Sequence, residues 1–444
     1  MNVVDQTESP WDTIILGAGM SGLISASVLH RQRAARILIV DEYARIGGNH
    51  IDCSIGPYTF DIGSFLFQDD SPLIGHFPEL LELYHPVVPC IQRVAPDGVV
   101  RSYPFSFSDE FVGAGPLEWL RTSASLLKAR LTSAPITNAA EYAEYWLGSR
   151  LFQRSGLGNY IERFHGAKAG DIDKVFAEKR MNQIAHLASF RKQIAKLLGA
   201  RAPRVSGKSF VRPHEGFARL YGVVAESLER KGTNFALGRT LSSITRSDTL
   251  FRVQAVDLDA TSHRLVSTMP ISRTLQLCGL PMPAPLPSAE LISLFFSFSG
   301  SRRGFSANVL YNFSATGRWK RLTMFSDFYG KVYDREYFTV EANLAATGQQ
   351  GEDYDIVGCL AADFRTDVLN KGLFTGTLTL VGSYRLQNAY PIYRKGAAEA
   401  ASTAIQVLSG FGIESFGRQG GFDYLPNAGL VTREVEAKLD RVSR

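Results

Sequence analysis

The chain is 444 residues long, carries a formal net charge of +5, and is 45% hydrophobic and 20% charged. That length allows two to three domains with a large apolar core, and the composition is that of an ordinary soluble globular protein. The mild positive charge, with no basic stripe interleaved with aromatics, argues against nucleic acid and is compatible with an anionic small molecule.

The four cysteines, Cys53, Cys90, Cys278 and Cys359, are scattered, with no Cys-x-x-Cys pair. Buried thiols in a reducing compartment are expected, and no metal site. The N-terminus is polar and acidic and does not read as a signal peptide. The longest apolar run, Leu291 to Phe298, suits a buried strand and is far too short for a membrane span. The cytoplasm is the expected location.

Residues 1–11 read as a disordered tip. A short apolar strand, Thr13 to Leu16, then runs into Gly17-Ala18-Gly19-Met20-Ser21-Gly22, and a helical pattern follows from Leu23 to Arg33. A second strand, Ile37 to Val40, ends in Asp41-Glu42. Strand, glycine turn, helix, strand and acid together are the layout that holds an adenine dinucleotide. Gly17 allows the tight turn, Gly19 lets the backbone approach the pyrophosphate, and Gly22 lets helix and strand pack closely, with the helix N-terminus facing the phosphate charge. Ser21 lies in the same turn. Asp41 is the expected ribose ligand by spacing, with Glu42 its rival.

Further on, Leu117–Leu131, Ala139–Leu147 and Asn159–Phe164 carry apolar residues at helical spacing. The basic residues Lys179, Arg180, Arg191, Lys192 and Lys196 read mostly as a solvated face, and residues 201–214 as a basic, proline-bearing link. Gly216–Arg230 reads as a helix, and Leu250–Val256 and Arg264–Met269 as strands. Four β-rich runs follow, Leu291–Phe298, Ala307–Phe313, Arg321–Phe328 and Tyr337–Ala342, with another strand over 374–384. Helices are expected over 396–410 and Leu430–Leu439.

The segment after the acid carries Gly47-Gly48-Asn49 and then Asp61-Ile62-Gly63. This arrangement resembles flavoproteins of the amine-oxidase and UDP-galactopyranose mutase superfamily. The resemblance implies FAD as cofactor, with Gly47, Gly48 and Asn49 beside its pyrophosphate and Gly63 near its ring. Leu265 to Pro270 resembles the returning strand of the FAD domain, and Pro213-His214-Glu215-Gly216 its Pro-x-Gly-Gly turn. The implied fold is α/β: a Rossmann-type FAD-binding domain with an inserted helical domain and an antiparallel β-sheet substrate domain. The expected boundaries are 1–105, 201–285 and 386–444 for the FAD-binding domain, 106–200 for the helical insert and 286–385 for the sheet.

Three later segments resemble the mutases in particular. Gly417-Arg418-Gln419-Gly420-Gly421-Phe422-Asp423-Tyr424 is similar to their Gly-Arg-x-Gly-x-Phe/Tyr-x-Tyr segment. This gives Arg418 and Tyr424 a diphosphate-binding role and puts Gly417 and Arg418 against the flavin site. Tyr390 matches the Tyr of a Tyr-Pro-Val/Ile segment that touches substrate phosphate. Tyr311-Asn312-Phe313 followed by Arg321 resembles an Asn-Tyr-Thr segment with a phosphate-binding Arg beyond it; Arg318 and Lys320 are rivals for that role. The chain also departs from the mutases. Gly63-Ser64-Phe65-Leu66-Phe67-Gln68 lacks both histidines of their Gly-x-His-x-Phe-His segment, so Phe65 and Gln68 are expected to face the flavin or the pocket. Ala169 stands where they carry a pocket Trp, and Asn427-Ala428-Gly429 replaces their Asn-Met-Asp.

No residue pattern announces a protein nucleophile, so the flavin is the expected reactive group. His50 is the histidine nearest the inferred cofactor path. The leading expectation is a pyranose/furanose mutase in which reduced flavin, recharged by an external reductant, is the nucleophile toward a nucleotide sugar. The alternative is an oxidoreductase of the amine-oxidase or desaturase type, taking hydride from a C–N or C–C bond.

Overall fold

The computed structural model of the chain describes residues 9–104, 115–131, 135–179, 207–345 and 355–442. Of the basic residues read as a solvated face, Lys179 is described. Arg180, Arg191, Lys192 and Lys196, with Arg201, Pro203 and Arg204 of the link, lie outside the described residues.

Two large sheets carry the molecule. The first is built on strand Trp11–Leu16, which pairs in parallel with Ile37–Asp41 on one side and Leu258–Ser267 on the other. Thr233–Leu237 extends it beyond Ile37–Asp41, also in parallel. Antiparallel Leu250–Ala255 and Leu241–Ser247 continue it beyond Leu258–Ser267, whose end also pairs with Ile413–Ser415. The central strands are nearly continuous runs of apolar residues because helices cover both faces. Ile14, Ile15 and Leu16 are fully buried, each such side chain stabilising the core by about 1.5–3 kcal/mol. One covering helix is Met20–Arg31, buried from Gly22 to Leu29, and another is Phe217–Glu229. Asp52 accepts from the Phe217 N–H at 2.8 Å and so caps the latter.

The second sheet runs Phe374–Pro391, Ser288–Arg302, Glu336–Ala345, Arg321–Met324, Val309–Asn312, Ile91–Val94 and Val100–Ser102. It is antiparallel except where Val309–Asn312 meets Ile91–Val94. It therefore draws its last two strands from before residue 105, and its first strand runs on to Pro391. Where a strand was expected to continue to Phe328, Arg321–Met324 stops and Ser326–Tyr329 forms a helical turn. Helix Ile356–Asn370 buries Leu360, Phe364 and Val368 against one face of this sheet. Helix Leu157–His165 lies against Glu336–Ala345, Ala139–Ser155 packs on that helix, and Gly115–Leu131 packs on Ala139–Ser155. The C-terminal helix Ala428–Val442 returns to pack on Met20–Arg31.

Candidate active site

The first sheet ends where the glycine turn begins. Gly17 sits at φ +105°, a region open to glycine, and a Cβ there would lie 2.5 Å from the Thr268 hydroxyl. Its N–H donates to Val40 O at 2.8 Å, which holds the turn across the ends of two strands. Helix Met20–Arg31 starts at Gly19 with no side-chain cap and no acid in its first turn, so its N–H groups and dipole are left for an anion.

Asp41 lies across this turn. Its carboxylate accepts from Ala18 N at 2.6 Å and Tyr43 N at 2.8 Å. Burial raises its pKa, and those two N–H groups pull it back. Glu42 instead faces Arg273, 3.0 Å away. Gly48 approaches Gly19 so closely that a Cβ on Gly48 would lie 2.9 Å from Gly19 Cα. The two glycine motifs therefore pack backbone on backbone, the Gly47 N–H donating to Ala18 O at 2.9 Å, and together line one cradle free of side chains. Asn49 is half-buried beside it.

Tyr221, from helix Phe217–Glu229, borders that cradle. A Cβ on Gly47 would meet its ring at 2.7 Å. The Tyr221 hydroxyl hydrogen-bonds Nδ1 of His50. The imidazole is boxed by Phe65 (4.6 Å between ring centroids), Phe217 (5.4 Å) and Phe67 (5.8 Å). Desolvation, with Arg418 adding to it, lowers the His50 pKa to about 3, so the ring is neutral near pH 7. Tyr221 gave no sequence signal, because it sits 171 residues from its partner.

The C-terminal segment closes over the cradle. A Cβ on Gly417 would lie 2.5 Å from the Ser21 hydroxyl. Arg418 donates to Leu425 O at 2.5 Å. The Gln419 amide donates to Asn388 O, and the Tyr393 hydroxyl to Phe422 O at 2.8 Å, so residues 417–424 are tied to residues 388–393. Asp423 is held by Lys179.

Tyr390 and Tyr424 meet through Phe164, whose ring centroid lies 5.0 Å from one and 6.0 Å from the other. Lys320 Nζ sits 4.2 Å from the Tyr390 ring centroid, a cation–π arrangement. Lys320 also reaches Glu341 at 3.1 Å, and Arg321 donates to the same carboxylate at 2.6 Å. Arg321 in addition bonds the Tyr311 hydroxyl at 3.4 Å and comes close to Gly63. Among the described residues two cations thus share one buried anion, an excess of one positive charge in a desolvated setting. Lys320, named as a rival, is placed at this point together with Arg321, whereas Arg318 faces Asp363 on an exposed turn.

Asn312 has a structural task, donating to the carbonyls that close the turn before Trp319. Gln68 is exposed and pairs with Ser209 in a small three-stranded sheet, so it stands apart from this cluster while Phe65 enters the His50 box. Asp61, part of the Asp61-Ile62-Gly63 segment singled out in the sequence, and His165, which gave no sequence signal, lie buried nearby. Asp61 forms a fully buried ion pair with Arg212 at 2.5 Å. His165 is wholly buried at the end of helix Leu157–His165, with no hydrogen-bond partner on either nitrogen among the described residues. Desolvation, with Lys320 adding to it, lowers its pKa to about 3.

These features define a Rossmann-like α/β fold joined to a second, largely antiparallel sheet. Residues 15–79 match the NAD(P)-binding Rossmann-like domain family. Over essentially its whole length the chain superposes on reduced UDP-galactopyranose mutase, with a TM-score of 0.76 at 17% identity, covering 98% of this chain and 96% of that one. An oxidoreductase from Methanosarcina mazei gives 0.67 at 13% identity, with 96% and 99% covered. Putrescine oxidase bound to putrescine gives 0.58 at 13%, with 98% and 100% covered. At these identities the likeness is one of fold. Among curated proteins, prolycopene isomerase of Arabidopsis thaliana is 38% identical over 72 residues, which is 16% of this chain and 12% of that relative's length.

Proposed function

We propose that the protein is a FAD-dependent enzyme acting on an anionic small molecule, with a nucleotide-sugar pyranose/furanose mutase as its best-supported reading. The observation that carries it is the excess buried charge at Lys320, Arg321 and Glu341, beside Tyr390 and at Gly63. A buried cation without its own counter-ion is costly, and a substrate diphosphate supplies that counter-ion.

The cradle fits a dinucleotide. Gly17, Gly19, Ser21 and Gly22 would flank the pyrophosphate with Gly47, Gly48 and Asn49 beside them, and Asp41 would take the ribose hydroxyls while it keeps its bond to Ala18. Glu42, engaged by Arg273, is the weaker candidate. Gly63 and Gly417 would bound the ring end. When bound, FAD supplies a ring that is nucleophilic when reduced and accepts hydride when oxidised. The chain's own groups would bind and orient: Arg418, Arg321, Tyr390 and Tyr424 would grip the diphosphate and stabilise charge that develops on it. Neutral His50, held by Tyr221, would offer a hydrogen bond without adding charge. An external reductant would be needed to prime such a mutase.

A second reading, a hydride-transferring oxidoreductase, is favoured by one observation. The segment from Gly63 to Gln68 presents Phe65 to the His50 box in place of the mutase histidines, which leaves an apolar wall at the ring. The likeness to putrescine oxidase and to the M. mazei oxidoreductase supports the same reading.

One experiment separates the two. UDP, GDP and dTDP are titrated calorimetrically into the dithionite-reduced holoprotein. The mutase reading expects one of them to bind, with no aerobic turnover of amine or polyene substrates. Absence of binding together with oxygen-consuming turnover would transfer the assignment to the oxidoreductase.

A further inference from the structure

Helix Gly115–Leu131 is turned inside out relative to an ordinary surface helix. Its inward face is polar. Glu118 reaches Arg150 and Arg154 at 2.6 and 3.1 Å, Ser125 bonds the Ser149 hydroxyl at 3.0 Å, and Thr122 is buried. The neighbouring helix comes so close that a Cβ on Gly148 would lie 2.8 Å from Leu126 N. The outward face is apolar. Leu117, Leu120, Leu127 and Leu131 are 61%, 61%, 63% and 75% exposed, with Ala124 exposed between them. Their spacing of three and four residues lines them along one stripe of about four turns. An apolar face of that size on the outside of a helix marks an interaction surface.

The charges around the stripe decide its partner. At helical spacing Arg121, 57% exposed and 3.8 Å from Glu118, follows one edge, and Arg130, which keeps its charge while lying 4.4 and 4.3 Å from the Tyr145 and Trp146 ring centroids, the other. The one acid of the helix, Glu118, is only 12% exposed and already engaged by arginines. A second copy laid on the stripe in either direction would set cations against cations, which disfavours it. An anionic lipid surface meets both demands: acyl chains accept the leucines while headgroups meet the flanking cations. No helix among the described residues is long and apolar enough to cross a membrane, so this contact lies in the interface plane.

We propose that the outward face of helix Gly115–Leu131 docks the protein on an anionic bilayer surface. This does not depend on the assignment of the cofactor or substrate.

The test is co-flotation of the full-length holoprotein with phosphatidylcholine vesicles, with and without about 30 mol % phosphatidylglycerol. The protein should float with the anionic vesicles and remain behind with the neutral ones, and binding should weaken as salt rises. The double variant Leu120→Glu/Leu127→Glu should bind about tenfold more weakly with its unfolding midpoint unchanged. Should that variant misfold, Arg121→Glu serves instead, with a loss in the same direction expected on the anionic vesicles. Failure of the wild-type protein to float with anionic vesicles would overturn the proposal. So would a dimer by light scattering that the leucine variant dissociates, since a second copy would then own the face.

Discussion

The two halves of the site hold charge in opposite ways. The proposed dinucleotide cradle is made of backbone: a glycine turn, an uncapped helix start and a second glycine pair packed directly on the first. The proposed substrate side is made of side chains: Lys320, Arg321 and Glu341 from the second sheet, Tyr390 from its edge strand, and Phe164 and Tyr424 from elsewhere. Backbone donors carry fixed dipoles and add no net charge, so the cradle is stable empty or filled. The side-chain site keeps an uncompensated cation buried, so it is poised to gain from an anion.

That contrast is broken most sharply at Glu341. Glu341→Ala leaves two buried cations without their partner and should destabilise the fold by about 3–5 kcal/mol, read from chemical denaturation. A loss below about 1 kcal/mol would mean that the cluster is solvated and not a buried charge excess.

On the cradle side, Gly19→Val should leave a folded protein with no bound flavin, because it puts a side chain on the bare backbone surface proposed to hold the pyrophosphate. A yellow, fully occupied variant would remove the cradle from that role.

Arg418→Ala should weaken binding of a nucleoside diphosphate by about 2–4 kcal/mol. Unchanged calorimetric affinity would leave the closing segment with a purely structural task.

The histidines sharpen the comparison through pH. His50 and His165 both have folded pKa values of about 3, depressed mainly by desolvation, against about 6.5 when unfolded. The unfolded state therefore binds more protons, and stability present above pH 6.5 is lost as pH falls toward 3. His165→Leu should remove about one proton from the uptake on unfolding at pH 5, while an unaltered pH slope would show that His165 is solvated in the native protein.

The smallest effect is expected at Tyr221→Phe, which costs one hydrogen bond and about 1 kcal/mol. It should also perturb the ring tautomer of His50, visible by nitrogen NMR. An unchanged tautomer population would separate the phenol from the imidazole.

The cradle was legible because its signals are local: Gly17, Gly19, Gly22 and Asp41 stand at fixed distances along one strand–helix–strand unit. The strands of the second sheet were also legible from β-rich runs, although Ile91–Val94 and Val100–Ser102 were not, being short and half-exposed. The charge cluster was half legible. Arg321 and Tyr390 came from motif likeness, but the pairing of Lys320 and Arg321 on Glu341 depends on sheet register. Tyr221 and His165 gave no pattern, since a single aromatic or imidazole on a buried helix face reads as core until its neighbours are known. The outward apolar face of Gly115–Leu131 hid in plain view, because an amphipathic stripe does not say which side faces in.

The central claim, that the glycine cradle holds a flavin whose ring is the reactive group, is tested most directly by the absorption spectrum of the natively purified protein. A flavin band near about 450 nm, bleached by dithionite and released as FAD on denaturation, is the predicted result. A colourless protein that gains no such band on incubation with FAD would contradict it.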